Sequence, residues 1–200
     1  EHECKNTIEN VGLFELSPFS KYEIKGEKAY EELQRLCTAN IKNEIGKCTY
    51  THMLNEGAGI ETDLTVVCLE KNHFRIISSA AVRTHDKAHI LKHLSKDLEF
   101  KDVTDDIICL GIFGPKSRDL LSKITEEDIT NENFKFGTSK NIKLDSINIW
   151  VQRLSYVGEL GYELYVQKQN SKEIYDLIVN TGKDFKLSHC GAHAMDTMRM

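Results

Sequence analysis

Hydrophobic and polar residues along the chain follow two patterns, one typical of strands and one typical of helices. Segments rich in β-branched residues, with a period of two, predict four strands at 60–69, 74–79, 147–156 and 162–166. The segments that follow each strand pair predict helices near 84–94 and 171–179. Strands grouped ahead of a helix, rather than strict strand–helix alternation, favour an α+β fold with antiparallel pairing.

A strand, a glycine turn and a helix occur twice. Residues 22–36 and 110–124 share Gly, Lys, Leu and an aliphatic pair at matching offsets, and Pro115 suits the first position of the second helix. We therefore predict a duplicated strand-helix-strands-helix unit, with repeats at about 20–100 and 108–182.

Composition narrows the classes of function. Of 200 residues, 40% are hydrophobic and 28% charged, as in ordinary globular proteins. The net charge of −5 argues against nucleic-acid partners, and no apolar run approaches the roughly 20 residues of a membrane span. Six cysteines without a C-x-x-C pair predict buried thiols in a reducing compartment.

The first and last residues of the sequence are typical of a fragment of a longer protein. It begins at Glu1 rather than Met and stops at Met200 within a predicted helix. We expect residues 1–200 to be one domain of a longer protein.

An aspartate in the first long strand is a candidate for chemistry. Along residues 60–69, Asp63 and Thr65 share one face of the strand, as does Glu61. Aspartate is disfavoured in strands, so either this face is solvated or a local function compensates.

A second candidate lies between the last two predicted strands. Gly158 followed by Glu159 suits a two-residue type II′ turn, which would place Tyr156 opposite Gly161. Tyr156 and Glu163 would then be diagonal neighbours, with open space at the glycine. The alternative is that Glu163 is simply solvated.

Two other patterns in the sequence are weaker indications of a functional site. His85, His89 and His93 lie on one helix face, but no H-E-x-x-H motif accompanies them, and we predict no metal site. Residues 57–59 lack the third glycine of a dinucleotide fingerprint.

Taken together, these segments resemble the folate-binding region shared by the glycine-cleavage T-protein and the flavin-linked dimethylglycine and sarcosine dehydrogenases. The resemblance rests on four segments: 11–26, 111–115, 156–163 and 194–200. It implies a duplicated α+β fold that holds a reduced folate in a central opening.

The resemblance also implies roles for individual residues. Glu163 ends a G-E-x-G-Y-E pattern and would bind the pterin ring, and Tyr156 would contact the folate. Asp63 would act near the folate nitrogens that accept the one-carbon unit, with Thr65 beside it. Arg199 would lie near the folate.

One departure concerns the acidic motif. T-proteins carry Gly-Gly-x-x-Asp-Asp, whereas residues 58–63 of this chain have a single aspartate at the end, Asp63. The family's C-terminal segments and the upstream flavin (FAD) domain of the dehydrogenases also lie outside the sequence, so we expect the fragment alone to be inactive.

The implied reaction begins with oxidation of an N-methyl amine to an iminium by the upstream flavin. Tetrahydrofolate accepts the oxidised carbon, giving methylene-tetrahydrofolate and the demethylated amine, while Asp63 holds the amine and relays a proton. The expected location is the cytoplasm of a bacterium or the mitochondrial matrix of a eukaryote.

Two alternatives stay open. The first is a stand-alone aminomethyltransferase, or a folate-dependent demethylase, without a flavin partner. The second is a non-catalytic folate-binding module, although the K-G-C-Y-x-G-Q motif of that subgroup is only echoed by residues 46–50.

Overall fold

The structure, a computed structural model, describes all 200 residues and divides into two units. We term Pro18–Asp105 the first unit, and Glu1–Ser17 with Asp106–Met200 the second unit. The chain thus changes unit twice, between Ser17 and Pro18 and between Asp105 and Asp106.

Six helices and eleven strands make up the two units. In chain order they are α1 (His2–Glu9), β1 (Val11–Glu15), β2 (Ser20–Lys25), α2 (Ala29–Leu36), β3 (Cys48–Leu54), β4 (Ile60–Glu70), β5 (His73–Ser78), α3 (Arg83–His93), β6 (Glu99–Asp102), β7 (Ile107–Phe113), α4 (Ser117–Ser122), β8 (Ser139–Leu144), β9 (Ile147–Gln152), β10 (Gly161–Gln167), α5 (Ser171–Gly182), β11 (Leu187–Cys190) and α6 (Ala192–Arg199).

The first unit is an antiparallel sheet packed on one face by two helices. Its strands lie in the order β3-β4-β5-β2-β6. Ala29 and Leu33 of α2 and Ile90 of α3 are fully buried against the apolar side chains of one sheet face. Their spacing of four residues, one helical turn, presents both α2 side chains to the sheet.

The second unit has the same construction with one added strand and two added helices, α1 and α6. Its sheet runs β11-β1-β7-β10-β9-β8, and only β1 and β11 are parallel. Leu120 and Leu121 of α4 and Ile174 and Ile178 of α5 are buried in the core on one face. The α+β prediction is therefore confirmed.

The two sheets repeat one order of strands. If β1 is set aside, β8-β9-β10-β7-β11 corresponds to β3-β4-β5-β2-β6, and each series has helices after its first and fourth strands in chain order. Because β1 is antiparallel to β7 and parallel to β11, β11 runs opposite to β7, as β6 runs opposite to β2. This shared order is what a duplicated unit would give, and the second series extends to β11 (Leu187–Cys190), past the proposed end of the repeat near 182.

Two local predictions are wrong. Pro115 is not the first residue of a helix, because α4 begins at Ser117 after a turn through Gly114, whose φ is +125°. The strand predicted to reach residue 156 ends at Gln152. None of the six helices combines the length and the apolar character needed to cross a membrane.

Candidate functional site

Strand β10 carries Glu163 on the sheet face opposite to α4 and α5. Tyr162 and Leu164 are buried in the core formed with α4 and α5. Since side chains alternate along a strand, Glu163 and Tyr165 point to the other face.

The carboxyl group of Glu163 lies in a weakly polar environment. Its side chain is half-buried, and the Tyr165 hydroxyl donates a hydrogen bond to Oε2 at 2.7 Å. Burial raises the pKa of Glu163, and the bond from Tyr165 offsets part of that rise. Because the bonding partner is a neutral hydroxyl rather than a cation, the carboxyl can accept N–H donors from a ligand.

A buried amide stands directly across from this carboxyl. Gln152 of β9 pairs with Glu163 in the sheet, so the two side chains are neighbours on one face. Gln152 is 0% exposed, and neither its Oε1 nor its Nε2 has a hydrogen-bond partner. Two residues earlier, the indole Nε1 of Trp150 is also buried without a partner. The sequence prediction missed Gln152, although a glutamine ending a strand of apolar residues was a visible signal.

The predicted two-residue hairpin is wrong. Residues 153–160 form a loop, and the register pairs Glu163 with Gln152 rather than with a residue near Tyr156. Gly158 does adopt a positive φ of +78°, the backbone conformation for which glycine is suited. Tyr156 and Glu163 are consequently not diagonal neighbours on paired strands.

Gly161 provides no open space. A Cβ at this position would lie 2.4 Å from Cδ1 of Phe113 and 2.9 Å from the carbonyl oxygen of Leu154. The glycine therefore permits a close approach of the loop to the sheet.

Tyr156 and Arg199 meet although they are distant in sequence. Tyr156 lies in the loop with 36% of its surface exposed, and the Arg199 guanidinium sits 4.8 Å from its ring centre. This is a cation–π contact, which orients the aromatic ring and supplies positive charge beside it.

In the first unit, Asp63 lies on the face of β4 opposite to the helices. Leu64 and Val66 are buried in the core, whereas Asp63 is exposed and Thr65 half-buried. The Tyr50 hydroxyl, on the neighbouring strand β3, donates a hydrogen bond to Asp63 Oδ2 at 3.0 Å. Tyr50 pairs with Thr65 in the register, so the three side chains line one side of the sheet. The sequence prediction missed Tyr50.

The two residues before Asp63 have a different role. Thr62 points to the helix-packed face and donates to Oδ2 of Asp86, a fully buried carboxylate on α3, at 2.9 Å. His85 lies 3.3 Å from Asp86 and 2.9 Å from Glu61, and these contacts raise its pKa, with the bond to Asp86 contributing most. Glu61 is thus engaged in an ion pair that fixes the start of β4 to α3.

The predicted site residues form three groups of contacts. Glu163 neighbours the newly identified Gln152, Tyr156 contacts Arg199, and Asp63 contacts Tyr50. Asp63 and Thr65 belong to the first unit, and the other predicted residues belong to the second.

Comparison with protein families decides the relationship of the chain. The model of the GCVT N-terminal domain matches residues 1–200, the whole chain. The chain belongs to this family. The resemblance noted in the sequence is confirmed.

Two similar proteins are enzymes. The mitochondrial dimethylglycine dehydrogenase of Rattus norvegicus is 33% identical over 201 residues, covering 99% of this chain and 23% of that protein. The aminomethyltransferase of Thermoanaerobacter sp. (strain X514) is 31% identical over 201 residues, covering the whole chain and 54% of that protein.

A solved structure shares the fold. The crystal structure of the glycine cleavage system aminomethyltransferase T from Bartonella henselae matches with a TM-score of 0.85 and 22% identity, over 99% of this chain and 52% of that one. The chain spans about half the length of aminomethyltransferase and less than a quarter of dimethylglycine dehydrogenase.

Proposed function

We propose that this GCVT-family chain is the tetrahydrofolate-binding domain of a flavin-linked N-methyl amine dehydrogenase that acts on dimethylglycine or sarcosine. The domain accepts the oxidised methyl group and yields methylene-tetrahydrofolate. The similarity to dimethylglycine dehydrogenase over 99% of the chain supports this choice within the family. The proposed location of the protein is the mitochondrial matrix in a eukaryote, or the cytoplasm in a bacterium.

The observation that carries the proposal is the state of Glu163. Its carboxyl group is half-buried, has a raised pKa because of burial, and receives a hydrogen bond only from the neutral hydroxyl of Tyr165. A pterin ring offers an N–H and an amino group side by side, which can donate two parallel bonds to one carboxylate. Such donors stabilise the ionised form and repay its desolvation.

Other residues of the chain would hold the amine, take up a proton and contact the folate. Asp63 is exposed and has its carboxylate oriented by Tyr50, so it can hold a cationic amine and take up a proton. Tyr156 offers an aromatic face held by Arg199. Tetrahydrofolate supplies the nitrogen nucleophiles that take up the one-carbon unit, and holding amine and folate together provides acceleration through proximity.

A stand-alone aminomethyltransferase is the second candidate. The Bartonella henselae structure shares the fold over 99% of the chain, and the Thermoanaerobacter enzyme is of that class. Flavin content distinguishes the two: an intact protein with a flavin absorbance that dimethylglycine or sarcosine bleaches is a dehydrogenase.

The proposal is tested by Glu163→Gln in the intact protein. Losing a charge-assisted contact should weaken tetrahydrofolate binding by about 10- to 100-fold, measured by titration calorimetry. Reduction of a bound flavin by the amine should be nearly unchanged.

The matched control is Glu159→Gln, the same chemical change four residues earlier in the loop. It should leave the affinity within about twofold. Equal affinities for wild type and Glu163→Gln would remove Glu163 from the pterin site and the proposal with it.

A further inference from the structure

The amide of Gln152 is an anomaly within the second unit. It is fully buried, and both its donor and its acceptor lack partners. A buried amide without hydrogen bonds costs free energy, so an unpaired one calls for an explanation, such as a role in binding a ligand.

The position of the side chain supplies that explanation. Gln152 lies directly across from Glu163, which is assigned above to the pterin ring, and on the same face of the sheet. Because the amide makes no hydrogen bond, it breaks none when its torsions turn it toward a ligand. A contact between the amide and a ligand would therefore add two hydrogen bonds, one from the amide donor and one to the amide acceptor, without the loss of an existing bond.

We propose that Gln152 is a specificity-determining residue whose amide bonds the ring edge next to the one held by Glu163, and so selects the reduced pterin. This inference rests on the proposed function, because it requires a pterin at Glu163.

The chemistry of the ring gives Gln152 its selectivity. Beside the edge that faces a carboxylate, a tetrahydropterin presents an acceptor and an N–H together on either flank: the 4-oxo group with N5–H, or N1 with N8–H. An amide presents a donor and an acceptor side by side and matches either flank. In the fully oxidised ring N5 and N8 carry no hydrogen, so the amide oxygen would face a lone pair.

The carboxylate contact cannot make this distinction. The oxidised ring keeps both the N3–H and the 2-amino group, so Glu163 would receive the same two bonds from either form. A site built to bond an N–H discriminates against a ligand that lacks it, because its own acceptor is left unpaired.

The test is Gln152→Met in the intact protein, a change that preserves length and removes the amide. Calorimetry with tetrahydrofolate should show about a tenfold weaker affinity, and folic acid should lose less than about threefold. The preference for the reduced ligand should fall accordingly. An unchanged ratio of the two affinities would overturn the proposal.

Thermal unfolding without ligand separates ligand binding from a structural role. Replacing an unpaired buried amide by an apolar side chain of similar shape should leave the midpoint unchanged or raise it. A lower midpoint together with unchanged affinities would make Gln152 a structural residue and would also overturn the proposal.

Glu163→Gln completes the comparison. It should weaken both ligands equally, since both carry the groups that Glu163 binds. If Glu163→Gln weakens binding and Gln152→Met does not, the inference alone fails. If neither ligand binds the wild type, the proposed function fails as well.

Discussion

The two candidate acids of this molecule lie in contrasting environments. Glu163 of the second unit is half-buried and bonded by a neutral hydroxyl, and burial raises its pKa. Asp63 of the first unit is exposed and bonded by Tyr50. Asp63 is on the sheet face opposite to α2 and α3, and Glu163 is on the sheet face opposite to α4 and α5. The repeated strands and helices thus present each acid on the same side of its sheet, and the surroundings of the two acids differ.

The difference in burial suggests a division of labour. A desolvated carboxylate gains most from donors that arrive with a ligand, which suits recognition. An exposed carboxylate is accessible to an amine or water, which suits proton transfer. The predictions below test whether this division holds.

Asp63→Asn should have the largest effect on turnover. If Asp63 handles the proton and holds the amine, formation of methylene-tetrahydrofolate by the intact enzyme should slow by about 100-fold. Affinity for folate should stay within a few-fold. The oxidised methyl group would then be lost to water, and the ratio of formaldehyde to methylene-tetrahydrofolate at excess folate should rise.

Glu61→Gln is the control on the same strand face. The carboxylate of Glu61 is occupied by Asn55 and His85, so it is not available to replace Asp63. It should therefore change the product ratio far less. An identical ratio for wild type and Asp63→Asn would show that Asp63 is only a tolerated polar residue.

Tyr156→Phe should have a smaller effect, on affinity. The substitution keeps the ring and its contact with Arg199 and removes only the hydroxyl. We expect tetrahydrofolate binding to weaken by about threefold, less than for Glu163→Gln. A larger loss than that of Glu163→Gln would reverse the ranking of the two residues.

The strand pattern of the sequence was sufficient to predict that Asp63 and Thr65 share one strand face. The alternation of Thr62, Leu64 and Val66 is unambiguous, and the structure buries those three side chains in the core of the unit. The register of a strand with one buried face is strongly specified by such a pattern.

The loop before β10 could not be predicted in the same way. In this loop and beside it, Leu154 and Phe113 approach Gly161 closely, and these packing contacts leave no local signal in the sequence. The same limit explains Gln152, because its unpaired amide is defined by the absence of partners in three dimensions. The role of Thr62 also needed the structure, since its partner Asp86 lies on a helix 24 residues away.

The smallest predicted effect concerns stability and tests the burial of Glu163 directly. Burial raises the pKa of this carboxyl in the folded protein, so the unfolded chain ionises first as the pH increases. Between the unfolded and folded pKa values the folded state binds more protons, and the free energy of unfolding falls with rising pH. Below the unfolded pKa both states are protonated and the group contributes nothing.

Glu163→Gln is neutral at every pH and keeps an acceptor for Tyr165, so without ligand its thermal midpoint should exceed that of the wild type at pH 7.5, and the gap should close toward pH 4.5. Glu159→Gln, which stands outside this environment, should show no such trend. A gap that stays constant across this range would mean that the carboxyl of Glu163 carries no desolvation penalty, and the contrast with Asp63 would lose its basis.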